Sequence, residues 1–113
     1  MPKTRVILEL GSGNDLHGSD YTKAALRAVQ DALHHSSLSF IRSLKIDMSK
    51  LEVEVTVGVQ RPEQVDLEAV KSSLPVGKVT VKAVKGGLDV ADPENNDTAV
   101  IASAAIAVRI EVK

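Results

Sequence analysis

Val53, Val55, Val57 and Val59 alternate with Glu52, Glu54 and Thr56 along "EVEVTVGV". A two-residue period puts alternate side chains on opposite faces, so this run predicts a half-buried strand over 52–59. "GKVTVKAVKGG" repeats the pattern, with Val79, Val81 and Ala83 on one face of a further strand. Between them the period lengthens. "RPEQVDLEAVKSSLP" predicts a short helix over about 62–73 that packs through Val65, Leu67, Ala69 and Val70. Pro75 stops it, since proline offers no amide to a continuing helix. Upstream, "RVILEL" at 5–10 reads as a short apolar strand, followed by helical spacing of Ala25, Ala28, Val29, Ala32 and Leu33. That spacing predicts a helix over 20–35, with Asp20 as its N-cap. "LSFIRSL", 38–44, reads as a second short helix or a turn, and "ADPENNDT", 91–98, as a polar turn.

The last run, "AVIASAAIAVRIEV" over 99–112, is long for a strand and its first half is apolar on both faces. The order is therefore β-α-β-α-β-β. It predicts one α+β domain spanning 1–113, a mixed four-stranded sheet with two helices on one face. Val53, Val55, Val57, Val79, Val81 and Ile106 form the expected core row. Helices can cover only one face of the last strand. The other face is expected to join a subunit contact through Ala99 to Ala107 and make the protein a homo-oligomer.

Composition narrows the partners. The 113 residues carry 14 Lys plus Arg against 15 Asp plus Glu, so no net positive charge draws the chain to nucleic acid or an anionic membrane. One Phe, one Tyr and no Trp leave little to stack on bases. The absence of cysteine excludes disulfides and thiolate chemistry. No apolar run approaches the ~20 residues of a membrane span, and "MPKTRVILEL" does not read as a signal peptide, so a cytoplasmic location is expected.

The candidate chemistry lies in "GSGNDLHG", residues 11–18, between the first strand and the first helix. Four readings compete. Gly11, Gly13 and Gly18 could offer backbone amides to an anion, although their spacing fits neither the dinucleotide fingerprint nor the P-loop. The glycines could equally serve only to turn the chain. Asp15 and His17, two residues apart, could share a divalent metal, with zinc first among the candidates. His35 would then be the third ligand. It lies beside the apolar stripe of the helix, one turn from Asp31, whereas His34 lies on the polar face. A solvated helix end explains His34 and His35 as well. Finally, Asp15 and His17 could act as a catalytic acid–base pair without metal.

"GSGNDLHG" resembles the G-x-G-x-D-x-H-G signature of a family of short conserved hypothetical proteins found in bacteria and plants. "TKAALRAVQDALHHSSL", "VEVTVGVQRPEQVD", "LPVGKVTVK" and "GGLDV" resemble that family's later segments in order. The resemblance implies that Gly11, Gly13, Asp15, His17 and Gly18 are shared positions, and it implies no activity. The D-x-H segment is also similar to the zinc-binding start of methylerythritol cyclodiphosphate synthase. The element order is similar to chorismate-mutase-like proteins, which implies a trimer. The synthase's later His-Ser-Asp segment is absent. The expectation is a small metal-binding protein or metal-dependent enzyme acting on a small polar or phosphorylated metabolite at residues 11–18. The alternative is a non-catalytic module that binds a small anion or serves assembly.

Overall fold

The computed structural model describes residues 3–34, 50–74 and 77–111. Five strands and two helices follow in chain order: β1 (Lys3–Asp15), α1 (Tyr21–His34), β2 (Glu52–Val59), α2 (Leu67–Ser72), β3 (Lys78–Lys85), β4 (Leu88–Asp92) and β5 (Asp97–Glu111). The fold is α+β, as the periodicity implied. The expected turn or helix over 38–44 and the third ligand, His35, lie outside the described residues.

The sheet has the order β1-β5-β2-β3, with β4 also paired to β5. β5 is its spine. β1 runs antiparallel along one edge, from Lys3 opposite Glu111 to Asp15 opposite Val100. The other edge of β5 is shared. β2 takes its second half, Glu52 opposite Arg109 to Gly58 opposite Ser103. β4 takes its first half, Leu88 opposite Ile101 to Asp92 opposite Asp97. This division accounts for the fifteen-residue length of β5, because two short strands are laid end to end against it. β2 and β3 are parallel and joined through α2, so the sheet is mixed.

Two boundaries differ from expectation. The first strand extends to Asp15, well past residue 10, because Gly11 and Gly13 continue the ladder opposite Ala104 and Ala102. The strand β4, drawn from "LDVAD", makes the sheet five-stranded. It is too short to show a period, and its pairing with β5 holds it in the sheet.

The core lies under the helices. Val53, Val55, Val57 and Val59 of β2 and Val100, Ala102, Ala104, Ile106 and Val108 of β5 meet Ala24, Ala25, Ala28, Val29 and Ala32 of α1. Val79 and Val81, expected in the same row, are only partly buried. β3 is an edge strand, and the six-residue α2 is too short to cover it. The sheet's second face carries no described helix. Its rows contain Leu8 and Leu10 of β1, Val84 of β3, and Leu88 and Val90 of β4, all more than 40% exposed.

Candidate functional site

Residues 11–18 divide into two parts with different roles. Gly11 and Gly13 do not bend the chain. They sit in β1 directly beneath α1, where a Cβ on Gly11 would collide with backbone atoms of Ala28 and Ala32, and one on Gly13 with Arg27 and Ala28. Their missing side chains let the Ala-rich stripe of α1 lie against the strand. Gly18 is the turn glycine, at φ +93°, in the left-handed region that favours glycine. Ser19 follows at φ 52°, and Asp20 then caps α1 by accepting from the Lys23 amide at 3.0 Å.

Asp15 and His17 separate at this turn. Asp15 ends β1 facing inward and is only 3% exposed. Its Oδ2 accepts from the Asp20 amide at 3.0 Å. Lys23 Nζ and Arg27 Nη1 stand 3.9 and 3.7 Å from its Oδ1. A buried carboxylate there is matched by an amide and two cations of α1, the arrangement that offsets its desolvation. His17 faces outward with its side chain 85% exposed, and its Nδ1 lies 3.3 Å from Asp97 Oδ2. The strand's two-residue rule fails for this pair because the chain has left the strand by residue 16.

Asp97 is the residue that sequence spacing could not find. It opens β5, 80 positions from His17. Its Oδ1 accepts from the Thr98 amide at 2.8 Å and the Gly18 amide at 3.2 Å. The amides of Thr98 and Gly18, followed by His17, hold its carboxyl below the usual value against a smaller upward push from burial. Ser19 Oγ donates to Thr98 O at 3.4 Å. The loop is thus pinned to the β4–β5 turn by one carboxylate. A shallow cleft of about 280 Å³ opens beside it, lined by Ser19, Asp92, Asn96, Asp97 and Thr98.

Around α1, further polar contacts serve the frame. Asp31 Oδ2 accepts from the Ser12 amide at 2.9 Å, and Arg27 donates to Asn14 O at 2.6 Å. Side chains one helical turn apart thereby satisfy the outer edge of β1. Tyr21, 6% exposed, donates its hydroxyl to Asp89 Oδ2 on β4. Burial first and Asp89 second raise the pKa of the phenol.

Among the described residues no group of three or more His, Cys, Asp or Glu is placed to hold a metal. The site carries polar groups of both signs, but those of Asp15 are committed to α1. The remaining His17–Asp97 pair stands beside the shallow cleft, His17 in solvent and Asp97 partly covered.

The family model described as "Conserved hypothetical protein (Lin0512_fam)" matches residues 5–108. The chain belongs to this family. It is also similar to a crystal structure of an FtsZ-like protein of unknown function from Nostoc punctiforme. That protein is 38% identical, with 99% of each chain covered and a TM-score of 0.85. None of the curated proteins compared with the chain matches it. Among the described residues no helix is long and apolar enough to cross a membrane.

Proposed function

We propose that the chain is a non-catalytic assembly module that associates with copies of itself through the face of its sheet opposite the helices. One observation carries this reading. Leu8, Leu10, Val84, Leu88 and Val90 stand exposed on that face, at 47, 65, 42, 54 and 46%. The less exposed Ala99, Ile101, Ala105 and Ala107 of β5 lie between them. Contiguous apolar surface of this kind on a small protein marks an interaction site. The apolar part of the face spans β1, β5 and β4, while β2 and β3 present Glu54, Thr56, Thr80 and Lys82 on it.

The residue 11–18 segment serves this role as a brace. It locks β1 to α1 through Gly11, Gly13 and Asp15, and to β5 through Gly18 and Asp97. The element order supports placing the fold with the chorismate-mutase-like group, β4 being an addition to its four strands. A cytoplasmic location fits such a module.

Sedimentation equilibrium at micromolar concentration tests the reading. The expected result is a mass above that of one chain, lowered to one chain by Leu10→Lys or Leu88→Lys with secondary structure retained. A monomeric unmodified protein overturns it. Metal analysis of untagged protein separates it from the metal-dependent alternative, which stoichiometric bound zinc would favour.

A further inference from the structure

The two edges of the sheet are finished differently. On β1 the outer side is tied to α1, with Asp31 accepting from the Ser12 amide and Arg27 donating to Asn14 O. On β3 nothing among the described residues pairs with the outer side. The ladder to β2 shows which backbone groups that side carries. Its ends are fixed by the Lys78 amide on Leu51 O at 2.8 Å and the Gly86 amide on Val59 O at 2.9 Å. Backbone groups of alternate residues point the same way along a strand, so the even-numbered residues of β3 face β2. Val79, Val81, Ala83 and Lys85 therefore turn their N–H and C=O groups outward, along an open edge of eight residues or ~26 Å. The side chains divide as well. Val79, Val81 and Ala83 lie half-buried on the helix side, while Lys78, Thr80 and Lys82 stand exposed on the opposite face. The strand carries Lys78, Lys82 and Lys85 and no acidic residue. None of these lysines has an ion-pair partner among the described residues, and Glu52 and Glu54 of β2 are already held by Lys3 and Arg109.

We propose that the open edge of β3 accepts an extended acidic segment of a partner protein, which joins the sheet as a further strand beside β3. This edge is separate from the apolar strip of β1, β5 and β4, so the inference goes beyond the self-association reading and does not rest on it. Main-chain hydrogen bonds to Val79, Val81, Ala83 and Lys85 supply the attachment. Strand alternation then sorts the partner's side chains. Its acidic residues fall on the face of Lys78 and Lys82, and its apolar residues fall beside Val79, Val81 and Ala83. Opposite charges on adjacent strands attract, and like charges repel. A second copy of β3 is disfavoured as the occupant, since it would gather Lys78 and Lys82 of both copies on one face. A neutral strand gains nothing from these lysines, and charged side chains along an edge keep such strands away. The charge of β3 thus rejects its own kind and admits an acidic strand.

The probe is a fluorescein-labelled peptide of about eight residues, enough to span the edge, in which glutamate alternates with valine. A control peptide carries lysine in place of glutamate. Binding to the full chain is followed by fluorescence anisotropy. The acidic peptide is expected to bind, more weakly as salt is raised, and the basic peptide is expected not to bind. Lys82→Glu is expected to weaken the acidic peptide by about tenfold or more. Val81→Pro removes one outward amide and leaves the ladder to β2 in place, and a loss of about tenfold is expected there too. An acidic peptide N-methylated along its backbone lacks the donors on the partner's side and is expected to lose binding. It reads the same hydrogen bonds if the Val81→Pro chain fails to fold. No binding of the acidic peptide at millimolar concentration overturns the proposal and leaves the lysines as guards of a bare edge. Equal binding of the basic peptide also overturns it, as does binding indifferent to Lys82→Glu or to backbone methylation. None of these outcomes is read from the mass of the chain, so the sedimentation test of self-association stands or fails separately.

Discussion

Asp15 is buried. It closes the first turn of α1 through the Asp20 amide, with Lys23 and Arg27 beside it. Asp15→Ala leaves that amide without its acceptor, and the expected loss is about 1–3 kcal/mol of unfolding free energy by denaturant titration. Gly13→Ala drives a Cβ into the backbone of α1, and a loss of about 1–3 kcal/mol is expected there as the helix is pushed off β1. Asp97 gives a pH dependence. Its carboxyl titrates below the usual range because the Thr98 and Gly18 amides, and then His17, favour the ionised form. A depressed folded-state value means that its contribution to stability is present above the unfolded value of about 4 and is lost as pH falls through the lower folded value. Thermal melts should therefore decline below about pH 4 more steeply in the native chain than in Asp97→Asn. Tyr21 shifts the opposite way. Its burial and its hydrogen bond to Asp89 raise the phenol's pKa, so the stability it brings is complete below about pH 10 and fades as pH rises through the folded value. It is the chain's one tyrosine and there is no tryptophan, so phenolate absorbance reads this group alone. The expected midpoint lies above that of a free tyrosine.

At the scale of elements, β2 shows what periodicity can predict and β1 what it cannot. The alternation of Val53, Val55, Val57 and Val59 specified both a strand and its buried face, because β2 lies between β5 and β3 with α1 above it. Val55→Ala should cost on the order of 1–3 kcal/mol, transfer energy plus the cavity left in a row with no free space. The same rule placed Val79 and Val81 too deep, since edge position is a property of the sheet and not of the strand's own pattern. β1 was cut short at Gly11 because glycine reads as a turn signal. Here Gly11 and Gly13 mark the close approach of a helix encoded some fifteen residues later. The "DLHG" segment is legible in the sequence as a unit, but its partner is not. Asp97 joins it only because β5 returns beside β1, and nothing in linear spacing links positions 17 and 97. β4 was missed for the same reason, being held by the edge of β5 that β2 leaves free.

Among the described residues the molecule has helices on one side of a five-stranded sheet, and exposed leucine and valine on the other. The final strand's apolar residues on both faces already pointed there, because the rows through Ala104 and Ala105 cannot both lie under α1. If a second copy covers that exposed face, folding and association are linked by mass action, and the melting temperature must rise with protein concentration. A monomer has no such dependence. Ala105→Glu separates the two contributions. Ala105 lies on the outward row of β5, level with Leu10 of β1 and Thr56 of β2, so the carboxylate reaches solvent in a free chain and is buried against the partner in an oligomer. An unpaired charge buried at an interface costs several kcal/mol, enough to dissociate the complex. The substituted chain should retain its far-ultraviolet circular dichroism, sediment as one chain, and melt at a temperature independent of concentration. It should also melt lower than the unmodified protein at high concentration and close to it at high dilution, where the native oligomer has itself come apart. A chain that unfolds outright on this substitution would instead place Ala105 in the monomer's own core.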